Sequence, residues 1–179
     1  PLFLKLTAAA AGLLVLASCA STRNPIGFPF EEDLSEEMTG AWFNPEGIFH
    51  VHCDAEGNLR IAGLEWDEDS GDFVKSGADG PLLRLNDEYL IVNLREDDED
   101  ENYTFALMKV DDKKIVCWGP ETNAFRELVK KKQLEGDTTD HGVTLTSDGE
   151  AIARKIDADS IAKFFTWGDP MIFWRSPDF

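Results

Sequence analysis

From residue 40 to residue 118, apolar side chains recur at every second position in short runs, and turn-forming residues separate the runs. A period of two sends alternate side chains to opposite faces of a strand, so each run can bury one face and wet the other. Ile48 to Cys53 sets Phe49, Val51 and Cys53 against His50 and His52. Asp54 to Asn58 forms a turn, and Leu59 to Trp66 makes a second strand. Its apolar phase slips at Ala62-Gly63-Leu64, where the glycine predicts a bulge or bend. After the polar turn Asp67 to Asp72, Phe73-Val74 opens a short third strand, and Gly80-Pro81 begins a fourth over Leu82 to Leu85. Tyr89 to Leu94 and Tyr103 to Met108 flank the acidic run Glu96 to Glu101 and form a hairpin with a self-repelling tip. Asp111 to Lys113 turns the chain again into Ile115 to Trp118. About seven strands in this order pair most simply as an antiparallel meander.

Two helices follow the strand series. Pro120, Thr122 and Asn123 open the first, Phe125, Leu128 and Val129 share one face, and three lysines suit its C-terminal end before Gly136 stops it. That predicts a helix over about residues 122 to 134. Val143 to Thr146 reads as a strand. Asp157 to Ser160 then caps a second helix over about residues 158 to 167, with Ile161, Phe164 and Phe165 on one stripe. Asp169-Pro170 turns into a last short strand, Met171 to Arg175. The class is therefore mainly β (α+β): an antiparallel meander with two short helices in the C-terminal half.

The first 38 residues behave differently. Lys5 precedes an apolar run, Leu6 to Leu16, which is the length of an export-signal core and too short to span a bilayer. Leu16-Ala17-Ser18-Cys19 at its end resembles the lipobox of bacterial lipoproteins. In that family the signal is cut before the cysteine, whose thiol carries the lipid, so the resemblance implies a signal peptide over residues 1–18 and lipid attachment at Cys19. Residues 20 to 38 hold Pro25, Gly27 and Pro29 without a sustained period. They read as an extended tether (19–38 with the anchor), with a helical turn near Leu34 to Met38, unless Phe28, Phe30 and Leu34 dock on the domain. Residues 39–179 make one β-rich domain, long enough to bury a core.

Charge narrows the partners. The chain carries 35 acidic and 17 basic residues, a formal charge of −18, and no basic stripe interrupts the negative field. That excludes nucleic acid as the expected partner and leaves acyl chains on Cys19, not a polybasic patch, to hold the membrane. Ala20-Ser21 lacks the aspartate that marks inner-membrane retention in the lipoprotein family. The resemblance thus implies a bacterial cell-envelope protein, on the periplasmic face of the outer membrane if the cell is Gram-negative. Cys53 and Cys117 remain, and in an exported protein they either bridge or serve as small core residues.

Gly40-Ala41-Trp42, just before the first strand of the meander, resembles the Gly-x-Trp motif of lipocalin-like barrels. In that family the tryptophan closes one end of an eight-stranded barrel and an arginine late in the domain packs on it. Arg175 or Arg154 is placed to take that part, through guanidinium–indole stacking. The resemblance implies a lipocalin-like barrel; the helix at 122 to 134 within the strand series leaves a strongly curved sheet as the alternative. The layout is also similar to that of small bacterial lipoproteins with no assigned activity.

Chemistry is sparse. His50 and His52 share one side of a strand, a spacing that suits a metal, but no third ligand accompanies them in sequence. Asp67 and Asp69 head an acidic loop whose glycine falls one place short of the calcium-loop pattern. No nucleophile elbow, Cys–His pair, phosphate loop or zinc-protease motif occurs, and no cofactor is implied. Trp42, Phe49, Phe105, Phe165 and Trp174 are the aromatic candidates to line an apolar pocket, or simply to fill a core. The expectation is a lipid-anchored envelope protein acting as a binding or interaction module, for a small apolar ligand or an envelope protein. A hydrolase using loop carboxylates, or a purely structural component, is the alternative.

Overall fold

The computed structural model describes residues 20–45, 47–67, 71–95, 101–111, 113–156 and 161–177. Among them the chain forms β1 (Ala20–Thr22), α1 (Ser35–Met38), β2 (Gly40–Asn44), β3 (Gly47–Cys53) and β4 (Asn58–Asp67). It continues through β5 (Asp72–Arg84), β6 (Leu90–Leu94), β7 (Tyr103–Asp111), β8 (Lys114–Trp118) and α2 (Thr122–Lys130). β9 (Gly136–Thr138), β10 (Val143–Leu145), α3 (Gly149–Lys155), α4 (Ile161–Phe164) and β11 (Met171–Arg175) complete it.

β2 to β8 pair in chain order, each antiparallel to the next, and β11 lies between β8 and β2. The result is a closed eight-stranded antiparallel barrel, consistent with the lipocalin-like option and not with an open curved sheet. Closure leaves these strands no free edge. β1, β10 and β9 form a flap on the outer side of β7, with β1 parallel to β10.

Alternation builds two cores, one on each side of the barrel wall. Trp42, Val51, Leu59, Leu82, Val92, Met108 and Ile115 point inward together. On β6 and β7 the opposite face is apolar too: Ile91, Phe105 and Leu107 pack against Phe125, Ile152, Ile161, Phe164 and Phe165 of the helical layer. The Phe125 ring sits at the centre, 5.4 Å from Phe105 and 5.1 Å from Phe164. The helices that interrupt the strand series therefore sheathe one side of the barrel without breaking it.

Four local readings are corrected. Gly63 makes no bulge: β4 keeps its register through it, with Gly63 opposite Phe49 and Leu64 opposite Ile48. A Cβ on Gly63 would lie 2.7 Å from the Phe49 ring, so the inward position is empty because Phe49 fills it. The apparent slip arises because Leu64, on the outer face, is apolar and exposed. The predicted third and fourth strands are one, β5, which runs through Gly80 and Pro81. Gly80 has φ +154, and the Asn93 carbonyl oxygen would lie 2.0 Å from any Cβ there, so the glycine admits β6 at close range instead of turning the chain.

α2 ends at Lys130, with Lys132 in the left-handed conformation (φ 56), so Gly136 does not stop it. Gly136 instead lies in β9, where a Cβ would meet the Thr144 carbonyl at 2.5 Å. α3 is an addition to the expected pair of helices. Asp148 caps it by accepting from the Ala151 amide, and Ile152 and Ala153 are its buried side. The cap expected for the last helix, residues 157–160, lies outside the described residues, and α4 begins at Ile161.

Residues 20–38 lie on the barrel, as the docking alternative has it. Ala20 and Ile26 are fully buried in the outer core, and Leu34 and Met38 belong to the inner one. Phe28 exchanges backbone hydrogen bonds of 2.8 Å with Arg84. Asn93, itself fully buried, clasps Ile26: its Oδ1 accepts from the Ile26 amide at 2.7 Å and its Nδ2 donates to the Ile26 carbonyl at 3.1 Å.

Candidate functional site

The end of the barrel under α1 is built around Gly40, Trp42 and Arg175. Antiparallel pairing of β2 with β11 sets Trp42 opposite Arg175. The guanidinium lies over the indole, 5.5 Å from the ring centroid, and the indole N–H donates to the Met38 carbonyl at 2.9 Å. Arg175 also donates to three carbonyls, those of Glu36 (2.9 Å), Glu37 (3.3 Å) and Thr39 (2.7 Å). Those carbonyls terminate α1 and would otherwise lack partners, so one planar cation ties the helix, β2 and β11 together. Gly40 has φ +150, where a side chain is strained, and the same guanidinium lies 3.5 Å from where its Cβ would be. Arg154 stacks instead on Phe28 at 5.5 Å.

Inside the barrel the walls meet. A cavity of about 60 Å³ remains, lined only by apolar side chains and Cys117, among them Met38, Trp42, Phe49, Val92 and Phe173. Phe49 and Phe173 close edge to face at 5.6 Å. For comparison, an apolar cavity that admits benzene measures about 150 Å³. A cleft of about 490 Å³ lies between Asn44-Pro45, Cys117, Gly119, Thr166 and residues of the 169–174 segment, and shares Cys117 and Met171 with the inner cavity. Asp169 is the sole carboxylate-bearing residue of its lining.

The five aromatic pocket candidates are thus divided. Trp42 and Phe49 line the inner cavity, whereas Phe105 and Phe165 are in the outer core against the helices. Trp174 is 40 % exposed on the outside of the barrel. Phe43, next to the inward Trp42, also points outward and meets Trp174 at 6.0 Å between rings. Neighbours in sequence alternate faces, so an apolar pair cannot share a core within one strand.

Cys53 and Cys117 are free thiols, both buried. Their strands are not neighbours, because β2 and β11 lie between them in the barrel wall. Burial pushes the Cys117 thiol up to about 12. Burial, with Asp54 and Asp33 nearby, pushes that of Cys53 up to about 11. Neither is poised as a nucleophile. His50 and His52 are exposed, opposite Ala62 and Arg60. Among the described residues no three histidine, cysteine or carboxylate side chains converge on a metal position. Asp69, Cys19 with the lipobox, and residues 96–100 of the acidic run lie outside the described residues, as does the Asp67 side chain.

Four of the described carboxylates are poorly suited to act as general acids. Asp33, Asp54, Glu88 and Asp111 are all held below the usual range by hydrogen bonds: from Ser35, Asn58, Lys109 and the Lys113 amide respectively. A general acid needs the opposite displacement. Among the described residues no helix is long and apolar enough to cross a membrane. Comparison with protein-family models, curated proteins and solved structures returns no match.

Proposed function

We propose that the chain is a lipid-anchored protein of the bacterial cell envelope whose barrel serves as an interaction module and not as a carrier. The packed interior carries this choice. A cavity of about 60 Å³ has no room for an acyl chain or a ring, and no polar group in its lining would orient one. The hydrolase alternative gains no support from Asp33, Asp54, Glu88 and Asp111, which are held ionised, and recognition is assigned to the outer surface.

The anchoring half rests on Leu16-Ala17-Ser18-Cys19. Acyl chains on Cys19 would tie the membrane directly to Ala20, which is buried in the β1 flap. The flap packs on β7, so the anchor would hold the body close to the lipid surface, with the β2–β5 side turned away. Detergent phase partitioning tests the assignment. Wild-type protein is expected in the detergent phase, and Cys19→Ser in the aqueous phase or uncleaved. Wild-type protein in the aqueous phase, with its signal cut at another bond, contradicts it.

A further inference from the structure

The outer face of the barrel opposite the helical sheath is apolar in a way the fold does not require. Trp174, Phe43, Ile48 and Leu64 are direct cross-strand neighbours on β11, β2, β3 and β4, and Lys75 of β5 follows Leu64 in the same row. Their exposures are 40 %, 42 %, 65 % and 50 % for the four apolar members. Five strands at ordinary spacing make the row about 19 Å long. Exposed apolar surface this continuous marks an interaction site.

Charge and order identify the occupant. On β11, β2, β3 and β4 the exposed outward side chains that accompany the row, among the described residues, are His50, His52, Asn58, Arg60 and Ala62, and on β5 the outward Asp79 is paired with Arg95. In a chain of net charge −18, the described side chains of this face thus offer a second copy little like-charge repulsion. The row is also self-complementary. A two-fold axis through Ile48, its central and most exposed member, reverses Trp174–Phe43–Ile48–Leu64–Lys75 onto itself. Phe43 then meets the partner's Leu64 and Ile48 meets its own copy, an isologous arrangement of the kind a two-fold dimer demands, while the ends of the row curve away round the barrel.

We propose that two copies of this chain associate through this face about an axis at Ile48. The inference concerns the barrel surface and stands whether or not Cys19 is lipidated. The test is oxidative cross-linking of the full chain in detergent extract, read on non-reducing gels. Ile48→Cys should give a covalent dimer that wild type and Lys130→Cys, on the exposed side of α2, do not. Adding Leu64→Glu should lower the linked fraction about tenfold or more. Co-expressing Phe43→Lys in one Ile48→Cys chain with Leu64→Glu in the other should restore it, because the two-fold register sets the introduced lysine against the introduced glutamate. Native near-ultraviolet dichroism of each variant confirms that it is folded. Folded Ile48→Cys that yields no dimer overturns the proposal. So does a link that survives Leu64→Glu, or one that the charge pair fails to restore. Loss of anionic-vesicle binding in Leu64→Glu, with no link through the introduced thiol in the Ile48→Cys parent, would assign the face to lipid and overturn it as well.

Discussion

Trp42 and Arg175 hold the base of the barrel by different means, and substitution should separate them. The indole is buried to 1 % exposure and fills the end of the inner core, so Trp42→Ala should cost about 3–5 kcal/mol. Arg175→Lys keeps the charge but cannot fork to three carbonyls, and should cost about 1–3 kcal/mol. Denaturant melts with an unchanged m-value would show both. A loss below about 0.5 kcal/mol for either would mean that the stacked pair is ornamental to the fold. The buried thiols add a pH effect. Folding raises both above the ordinary value of 9.0, so the folded state keeps protons that the unfolded state releases. Their contribution is complete below about pH 9 and is lost as pH climbs toward 11–12. Cys53→Ala/Cys117→Ala should therefore show a flatter fall in stability across that window than the parent, measured by urea midpoints. An identical slope would contradict the assignment. Of this site, Gly40 and Trp42 were legible as a motif and Arg175 as one of two candidates. The carbonyl contacts were not, because they depend on where α1 ends in space.

At the level of elements, the least expected dependence is that of residues 20–38 on Asn93. This asparagine supplies a donor and an acceptor to Ile26 and a further bond to the Pro81 carbonyl. Asn93→Ala would leave the buried Ile26 amide and carbonyl unpaired, at a cost of about 1–3 kcal/mol for each group not rescued by water. Hydrogen exchange should then quicken at the Ile26 and Phe28 amides while inward-facing β3 and β4 stay protected. Uniform loss of protection would mean that the segment and barrel unfold together. Proline, glycine and mixed polarity made this stretch look like a tether. What holds it is supplied by distant residues, Asn93 and Arg84, that local pattern cannot reveal. α3 is the reverse case, since Asp148, Glu150 and the Ile152–Ile156 pair form a readable cap and stripe in a segment that strand signals dominated. Leu64 misled for a third reason. Period-two reading takes an apolar residue as inward, and this one faces solvent.

As a whole the molecule is a barrel with an apolar layer on both sides of β6 and β7, and that explains much of its length. Most of β2 to β8 was legible because each strand pairs with the next in chain order, whereas closure is made by β11, distant in sequence from both β2 and β8. The second core was not legible, since Ile91, Phe105 and Leu107 alternate with residues that are also buried. The net effect is a filled inside and a differentiated outside: helices and flap on one flank, an exposed apolar row on the other. The proposal that the barrel interior carries no ligand is tested by titrating the intact protein with a long-chain fatty acid below its micellar concentration. Calorimetry and thermal melting provide the readouts. No saturable heat and no rise in Tm are expected. One-to-one saturable binding, with the rise in Tm that a ligand selective for the folded state must produce, would contradict it.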